Sequence, residues 1–469
     1  MPRSTISRGV AVLAASPLLV SATELWKGRG GGGEGNNVVI GGSCPNGTGR
    51  KLKLVQVQTA FRHGARTPMR DLGKVPCKWT PKEQSKDQVP LAPFQLFNLS
   101  DKKKVEFGSI AQRFNVKDDL RLYGGGYGGA LTRDGILMAK DLGEELRSRY
   151  VDEGTLGGDA RAGYLLPGDF SPSSVVFRST RTQRTIETAQ GVATSLLHHV
   201  YGSSGRGEEP VSIMLDDGWM VMDKSKCRRL QQLFQDGLSK ATKNRSSSEK
   251  SLIEHIESDP SGWYTDDSDW ALISYRDQLL CRMAASKPIP TSVLKVQHEL
   301  DVAAQSQMQA VFEGGASFTA NPVSVRTEAL RLAIGRLVTF MLDTVENPAE
   351  HGKIHLYSGH DWTVSPLLMV ITRAGEFHEW PPFCSNLSFE IWSEEGGHAG
   401  GVGEGLHVRA IYNSKALKLR CGENGEAAEL CRYDRFKKMV TSYTIRNFEE
   451  ACEQGVSLPQ VDSAEGGAI

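Results

Sequence analysis

The stretch Arg62-His63-Gly64-Ala65-Arg66-Thr67-Pro68 constrains this chain more than any other, because it sets a histidine between two arginines where an extended run gives way to a loop. In the run before it, Val55, Val57, Thr59 and Phe61 fall on one face and Gln56 and Gln58 on the other, so Leu52 to Phe61 reads as a β-strand. Two guanidiniums flanking an imidazole can each fork onto phosphate oxygens while a ring nitrogen faces the phosphorus. Arginine suits that task better than lysine, because its planar fork matches oxyanion geometry. Gly64 lets the backbone approach a neighbour closely. A lone Arg-His-Gly also fits an ordinary basic loop with a surface histidine; the full string Arg-His-Gly-x-Arg-x-Pro is far rarer by chance.

Further strands and helices alternate along the chain. Thr132 is a natural N-cap for a helix whose Ile136, Ala139, Leu142, Gly143 and Leu146 recur at helical spacing. Ser174 to Phe177 is a short buried-type strand that runs into Arg178-Ser179-Thr180, and Ile186, Ala189, Val192, Ala193, Leu196 and Leu197 form the stripe of the helix after it. Leu330, Ala333, Ile334, Leu337, Met341 and Val345 mark another amphipathic helix, followed by a core strand, Ile354 to Ser358, that ends in Gly359-His360-Asp361. Phe383 to Trp392 and His407 to Tyr412 complete a hairpin at the sheet's edge. In open α/β sheets ligands gather outside the carboxyl ends of strands, so Arg62, Arg178 and His360 can converge from three strands. A lone His-Asp is more often a turn than a catalyst; its weight here comes from that position. Arg181 and Arg184, on the helix just beyond Arg178, read as exposed or structural.

The first motif resembles the signature of the histidine acid phosphatases, the branch of the histidine phosphatase superfamily that includes phytases, prostatic-type acid phosphatases and lysophosphatidic acid phosphatases. With the other two motifs in order, the likeness extends over roughly residues 50 to 445. The resemblance implies an α/β fold: a phosphoglycerate-mutase-like three-layer α/β core with an inserted, mainly α-helical cap. It also implies a phosphomonoester hydrolase in which His63 attacks phosphorus to give a phosphohistidine. Arg62, Arg66, Arg178 and His360 would then hold the phosphate oxygens, and Asp361 would protonate the leaving oxygen. A cradle with so many cations needs no Mg²⁺, and no carboxylate cluster of metal-site type accompanies the motifs, so neither metal nor other cofactor is expected. Trp362 to Leu368 and Trp380-Pro381-Pro382-Phe383 are most similar to the lysophosphatidic acid phosphatase branch. That makes a lysophospholipid the first substrate to consider, with phytate or a general monoester as alternatives. A mutase would use a glutamate-type acid elsewhere in the chain, so Asp361 speaks against it. A non-catalytic phosphate- or lipid-binding protein would lack the nucleophile or the acid, and neither is missing.

With 55 basic and 55 acidic side chains the net charge is zero, which argues against a nucleic-acid partner and makes any affinity for phosphate local. The expected organisation is a targeting segment at 1–22, a flexible leader at 23–49, an α/β core at 50–201 and 328–450, a mainly helical cap at 202–327 and a loose tail at 451–469. The first segment is basic at Arg3 and Arg8, free of acids before Glu24 and apolar from Val10 to Val20. It fits a secretory signal peptide cut near Ala22, with a mitochondrial presequence as the alternative, and it is too short for a stable membrane span. Eight cysteines without a Cys-x-x-Cys pair favour disulfides over structural zinc, and Cys421 and Cys431 lie close enough to staple one loop. Sequons at Asn46, Asn98, Asn244 and Asn386 favour secretion, the last being least suited because it lies in a strand-like run. The polar stretch from Pro68 to Gly129, with Lys102-Lys103-Lys104 and a glycine run, reads as an excursion at the mouth of the site. The oligomeric state is not set by these features.

Overall fold

The computed structural model describes residues 51–453 except 71–76, 85, 87–88, 109–120, 157–159, 161–162, 203–208, 223–225, 261–267, 314–321, 348–351, 373–379, 395–402 and 423–425. The targeting segment, the leader and residues 454–469 of the tail lie outside the described residues, as does Cys44, while 451–453, expected to be loose, end the helix Phe448–Glu453 with Ala451 and Cys452 buried. Strand β1, Leu52–Arg62, forms where expected but is buried on both faces. A bulge between Leu54 and Gln56 shifts the alternation, so Leu54, Val57 and Phe61 share one side of the sheet while Val55 packs on the other with Ala60. Gln56 and Gln58 do not face water. Their Nε2 atoms donate to the carbonyls of Thr344, at 3.3 Å, and Met341, at 2.9 Å. A central strand has helices on both faces, so its amides must find carbonyl partners.

The strands that follow are β2 (Phe94–Asn98), β3 (Lys104–Val105), β4 (Val175–Ser179), β5 (Val211–Leu215), β6 (Ile354–Gly359), β7 (Asn386–Glu394), β8 (Leu406–Tyr412), β9 (Lys415–Ala416) and β10 (Leu430–Arg432). They build one ten-stranded sheet in the order β9-β8-β7-β1-β6-β4-β5-β2-β3, with β10 also on β8. The neighbours β1, β6, β4, β5 and β2 run parallel, so their carboxyl ends share one rim. Helices α1 (Arg133–Tyr150) and α2 (Gln183–Leu196) cover one face, Thr132 capping α1 by accepting from the Gly135 N–H. The helices α3 (Arg228–Lys243), α4 (Ser247–Glu257), α5 (Ala271–Ala284) and α6 (Gln297–Glu313) form the cap. Helices α7 (Pro322–Glu346) and α8 (Asp361–Ile371) cover the other face of the sheet. The core is the three-layer α/β architecture expected.

The cap is narrower than residues 202–327, because Val211–Leu215 is a strand of the main sheet and the helix from Pro322 packs on it. The strand's four apolar residues of five lie between acidic stretches and no helical stripe follows them as one follows Ser174 to Phe177, so the strand–helix alternation that marks the core is not visible there. In the same way the excursion after Pro68 contributes β2 and β3 to the sheet, and its three lysines are exposed. The cap has an apolar centre of its own, including Ile256, Leu272, Tyr275 and Leu300, and joins the main core through Phe234, Met308 and Phe312. Cys421 pairs with Cys431, and Cys227 at the start of the cap pairs with Cys452. Cys281 and Cys384 remain buried thiols, so not every cysteine is in a disulfide.

Candidate active site

Arg62 is the last residue of β1 and pairs with Gly359 at the end of β6, and the His63 N–H donates to the Gly359 carbonyl at 3.0 Å. The motif therefore turns directly above the rim. There it crosses α1 at two glycines: a Cβ on Gly64 would run into the Gly135 carbonyl, and one on Gly135 into the Ala65 carbonyl. His63 is buried, with Nδ1 2.8 Å from the Gly64 carbonyl oxygen. A carbonyl only accepts, so Nδ1 carries the proton and Nε2 keeps its lone pair. Burial, then the charges of Arg184, Arg62 and Arg66, hold the imidazole well below the ordinary histidine range, which favours the neutral ring.

Three arginines surround it. Arg62 donates from Nη1 to the Pro381 carbonyl at 2.7 Å, lies 3.0 Å from Asp361 Oδ2 through Nη2, and stacks 4.4 Å over Phe383. Arg66 donates from both η nitrogens to Asp277 of cap helix α5, at 2.7 and 3.2 Å. Arg184, in the first turn of α2, donates from Nη2 to His360 Nδ1 at 3.3 Å, so His360 Nε2 carries the proton and donates to Thr180 Oγ1 at 3.0 Å. The His63 and His360 rings meet edge-on at 5.5 Å. The Nε atoms of Arg62, Arg66 and Arg184 are buried without a hydrogen-bond partner. Unpaired buried guanidinium donors about one neutral imidazole are what an oxyanion with several acceptor oxygens would satisfy.

Asp361 opens α8. Its Oδ1 accepts from the Trp362 N–H at 2.9 Å and its Oδ2 from Trp380 Nε1 at 3.1 Å. Burial pushes its carboxyl up, yet Arg62 and Arg66, with His360 and the Trp380 N–H, hold it lowered to about 2. The free site thus contains an ionised acid.

Arg178 does not join this group. It pairs across with Tyr357, below the level at which Arg62 meets Gly359, so its side chain lies on the sheet face toward α7 and not beyond the rim. Its guanidinium sits 4.7 Å over Phe340 and 5.3 Å over Tyr357, with Nη1 3.2 Å from His355 Nδ1. Arg184 stands in its place, because helical side chains lean toward the helix N-terminus and that end of α2 rises from the rim. An arginine in the first turn after a core strand was the available signal. Arg181 is tied to the Asp216 carbonyl at 3.0 Å and to Asn98 Oδ1 at 2.6 Å. Thr180, Asp277 and Trp380 also reach the site without having been assigned a part in it.

Over residues 53–413 the chain matches the family model of the histidine phosphatase superfamily (branch 2). Lysophosphatidic acid phosphatase type 6 of Mus musculus is 25% identical to it, over 84% of this chain and 86% of its own. The Homo sapiens protein of that name is 24% identical over 88% and 89%, and Counting factor 60 of Dictyostelium discoideum 24% over 87% and 89%. Among solved structures, the phytase from Citrobacter braakii aligns with 85% of this chain and 99% of its own, at 16% identity and a TM-score of 0.48.

Proposed function

This chain belongs to the histidine phosphatase superfamily, branch 2, and is a phosphoric monoester hydrolase; from that premise we propose that it works through a phosphohistidine on His63 and prefers a lysophospholipid monoester. The supporting observation is the set of unpaired Nε donors of Arg62, Arg66 and Arg184 about an imidazole whose Nε2 is free. His63 Nε2 attacks phosphorus opposite the ester oxygen. The N–P bond forms as the P–O bond breaks, and the leaving oxygen takes the proton of Asp361. Arg62, Arg66 and Arg184 hold the phosphoryl oxygens, and His360, fixed between Thr180 and Arg184, lines the same wall. Water then gives a proton to the Asp361 carboxylate and attacks phosphorus, and the N–P bond breaks to return His63. Asp361 enters the cycle ionised. A phosphate dianion among the arginines offsets the positive field that holds it so, and proton uptake accompanies binding.

The substrate preference draws on two features. Trp362, next to Asp361, is half-buried and meets Phe234, Trp270, Phe312 and Trp380 at 6.1, 6.0, 6.1 and 6.3 Å between ring centres, an apolar cluster that adjoins the acid. The relatives named lysophosphatidic acid phosphatase point the same way. The two disulfides fit an oxidising compartment, which supports a secretory location. Among the described residues no helix is long and apolar enough to cross a membrane. Initial rates with lysophosphatidic acid, phytate and glycerol phosphate test the preference. The first should give the highest kcat/KM, and a clear preference for phytate would overturn this substrate reading.

A further inference from the structure

Asp277 enters the catalytic group from the cap. Its carboxylate takes both η nitrogens of Arg66, whose Nη1 also donates to the Thr67 carbonyl at 3.0 Å and lies 3.5 Å from the sulfur of Cys281, one turn along α5. What Arg66 has left is the edge formed by Nε, buried and without a partner, and the second N–H of Nη2. Asp277 therefore decides which edge of this guanidinium meets a phosphate.

It also sets the charge of the site. Arg62 from β1, Arg66 from the loop after it and Arg184 from α2 are positive, and Asp361 from α8 and Asp277 from α5 are negative. His63 and His360 are neutral, and burial keeps the Cys281 thiol protonated. Arg276, beside Asp277, is matched by Asp301 at 2.7 Å while its guanidinium stacks 4.8 Å over Trp380. Three positive charges thus face two negative ones in the free site, and a bound dianion tips the balance to one net negative charge. A buried site with a negative excess takes up a proton. With Asp277 neutral, the same occupied site would be balanced with Asp361 still ionised.

We propose that Asp277 is a positioning residue supplied by the cap: it turns Arg66 Nε toward the phosphate, and its charge makes Asp361 take up the proton that the leaving oxygen needs. The same charge keeps product phosphate from binding tightly. The proposal rests on the phosphatase reading of His63 and Asp361, and wild-type turnover of nitrophenyl phosphate tests that reading separately.

The experiment compares wild type, Asp277→Asn and Asp277→Glu in pH profiles of kcat for an alkyl phosphate and for nitrophenyl phosphate, with inhibition by inorganic phosphate as a further readout. In Asp277→Asn the basic limb for the alkyl ester should move down by about one pH unit, the low end of what a nearby charge produces. The nitrophenyl ester, whose leaving oxygen needs no proton, should lose a smaller factor. Phosphate should inhibit several-fold more strongly, and Asp277→Glu should restore the limb. If Asp277→Asn does not fold by thermal unfolding, Asp277→Ser gives the same comparison. An unmoved limb, equal slowing of both esters and weaker phosphate binding would overturn the proposal, leaving Asp277 as a mere prop for Arg66.

Discussion

Replacing Arg184 and Arg178 in turn by methionine separates two arginines that the sequence places six residues apart and the structure places in different environments. Arg184 is buried, its Nε has no partner, and burial, then the nearby Arg66, lowers its pKa from 12.5 to about 9. At about 1.4 kcal/mol per tenfold in acidity, that is on the order of 5 kcal/mol of cost carried in the free protein. In the occupied site the same side chain would give one or two hydrogen bonds to a charged partner, each worth about 1.5–3 kcal/mol. Their loss corresponds to roughly 10–10⁴ in kcat/KM at about 1.36 kcal/mol per tenfold. Arg184→Met should therefore fold at least as stably as wild type in phosphate-free buffer, lose activity by a factor in that range, and lose its thermal stabilisation by phosphate. Arg178→Met removes a guanidinium stacked on Phe340 and Tyr357. It should cost stability, about 0.5–2 kcal/mol for the stacking, and leave kcat/KM within a few-fold. Steady-state rates with nitrophenyl phosphate and melting curves with and without phosphate decide the matter. A hundredfold loss in folded Arg178→Met, or near-normal activity in Arg184→Met, would refute the placement of the third phosphate arginine.

Asp361→Asn keeps the size of the side chain and removes the acid, so an alkyl phosphate should be hydrolysed about 10²–10⁴ more slowly while a nitrophenyl ester loses much less; equal losses would remove Asp361 from that role. The two site histidines give a stability prediction. Both are held well below the ordinary histidine range in the native state, first by burial. Below an unfolded pKa near 6.5 the unfolded chain binds protons that the native chain does not, and stability present above that pH is lost as pH falls, by about 1.4 kcal/mol per pH unit per histidine. Asp361, lowered to about 2, contributes stability that is lost only below about pH 4, so it takes no part between pH 7 and 5. Comparing wild type with a His63 variant separates that histidine from the other shifted groups, such as His199 and His407. His63→Asn should show a smaller drop in Tm across that window than wild type, and an equal drop would contradict the assignment.

That Arg62, His63 and Arg66 lie together could be read from the chain because they stand in one string at the end of a strand with a clear apolar run, and that His360 and Asp361 lie beside them because they end a neighbouring strand. Arg178 directly follows an apolar strand too. Only the register of β4 against β6, which sets it opposite Tyr357, shows that it stops short of the rim. Asp277 lies 211 residues from the arginine it holds, a contact with no local signature. The β1 bulge had the same character: the apolar pattern gave the strand, but its pairing with β7 moved Val55 to the other face.

The central claim is that His63 carries the phosphoryl group. Mixing the protein with a radiolabelled phosphomonoester and quenching within the first turnovers tests it directly, with stability of the protein-bound label to acid and base as the measurement. A phosphohistidine has an N–P bond, so the label should survive base, be released by acid, map to the peptide containing His63, and be absent from His63→Ala in folded protein. Label that survives acid, or that persists in His63→Ala, would mean another side chain attacks phosphorus.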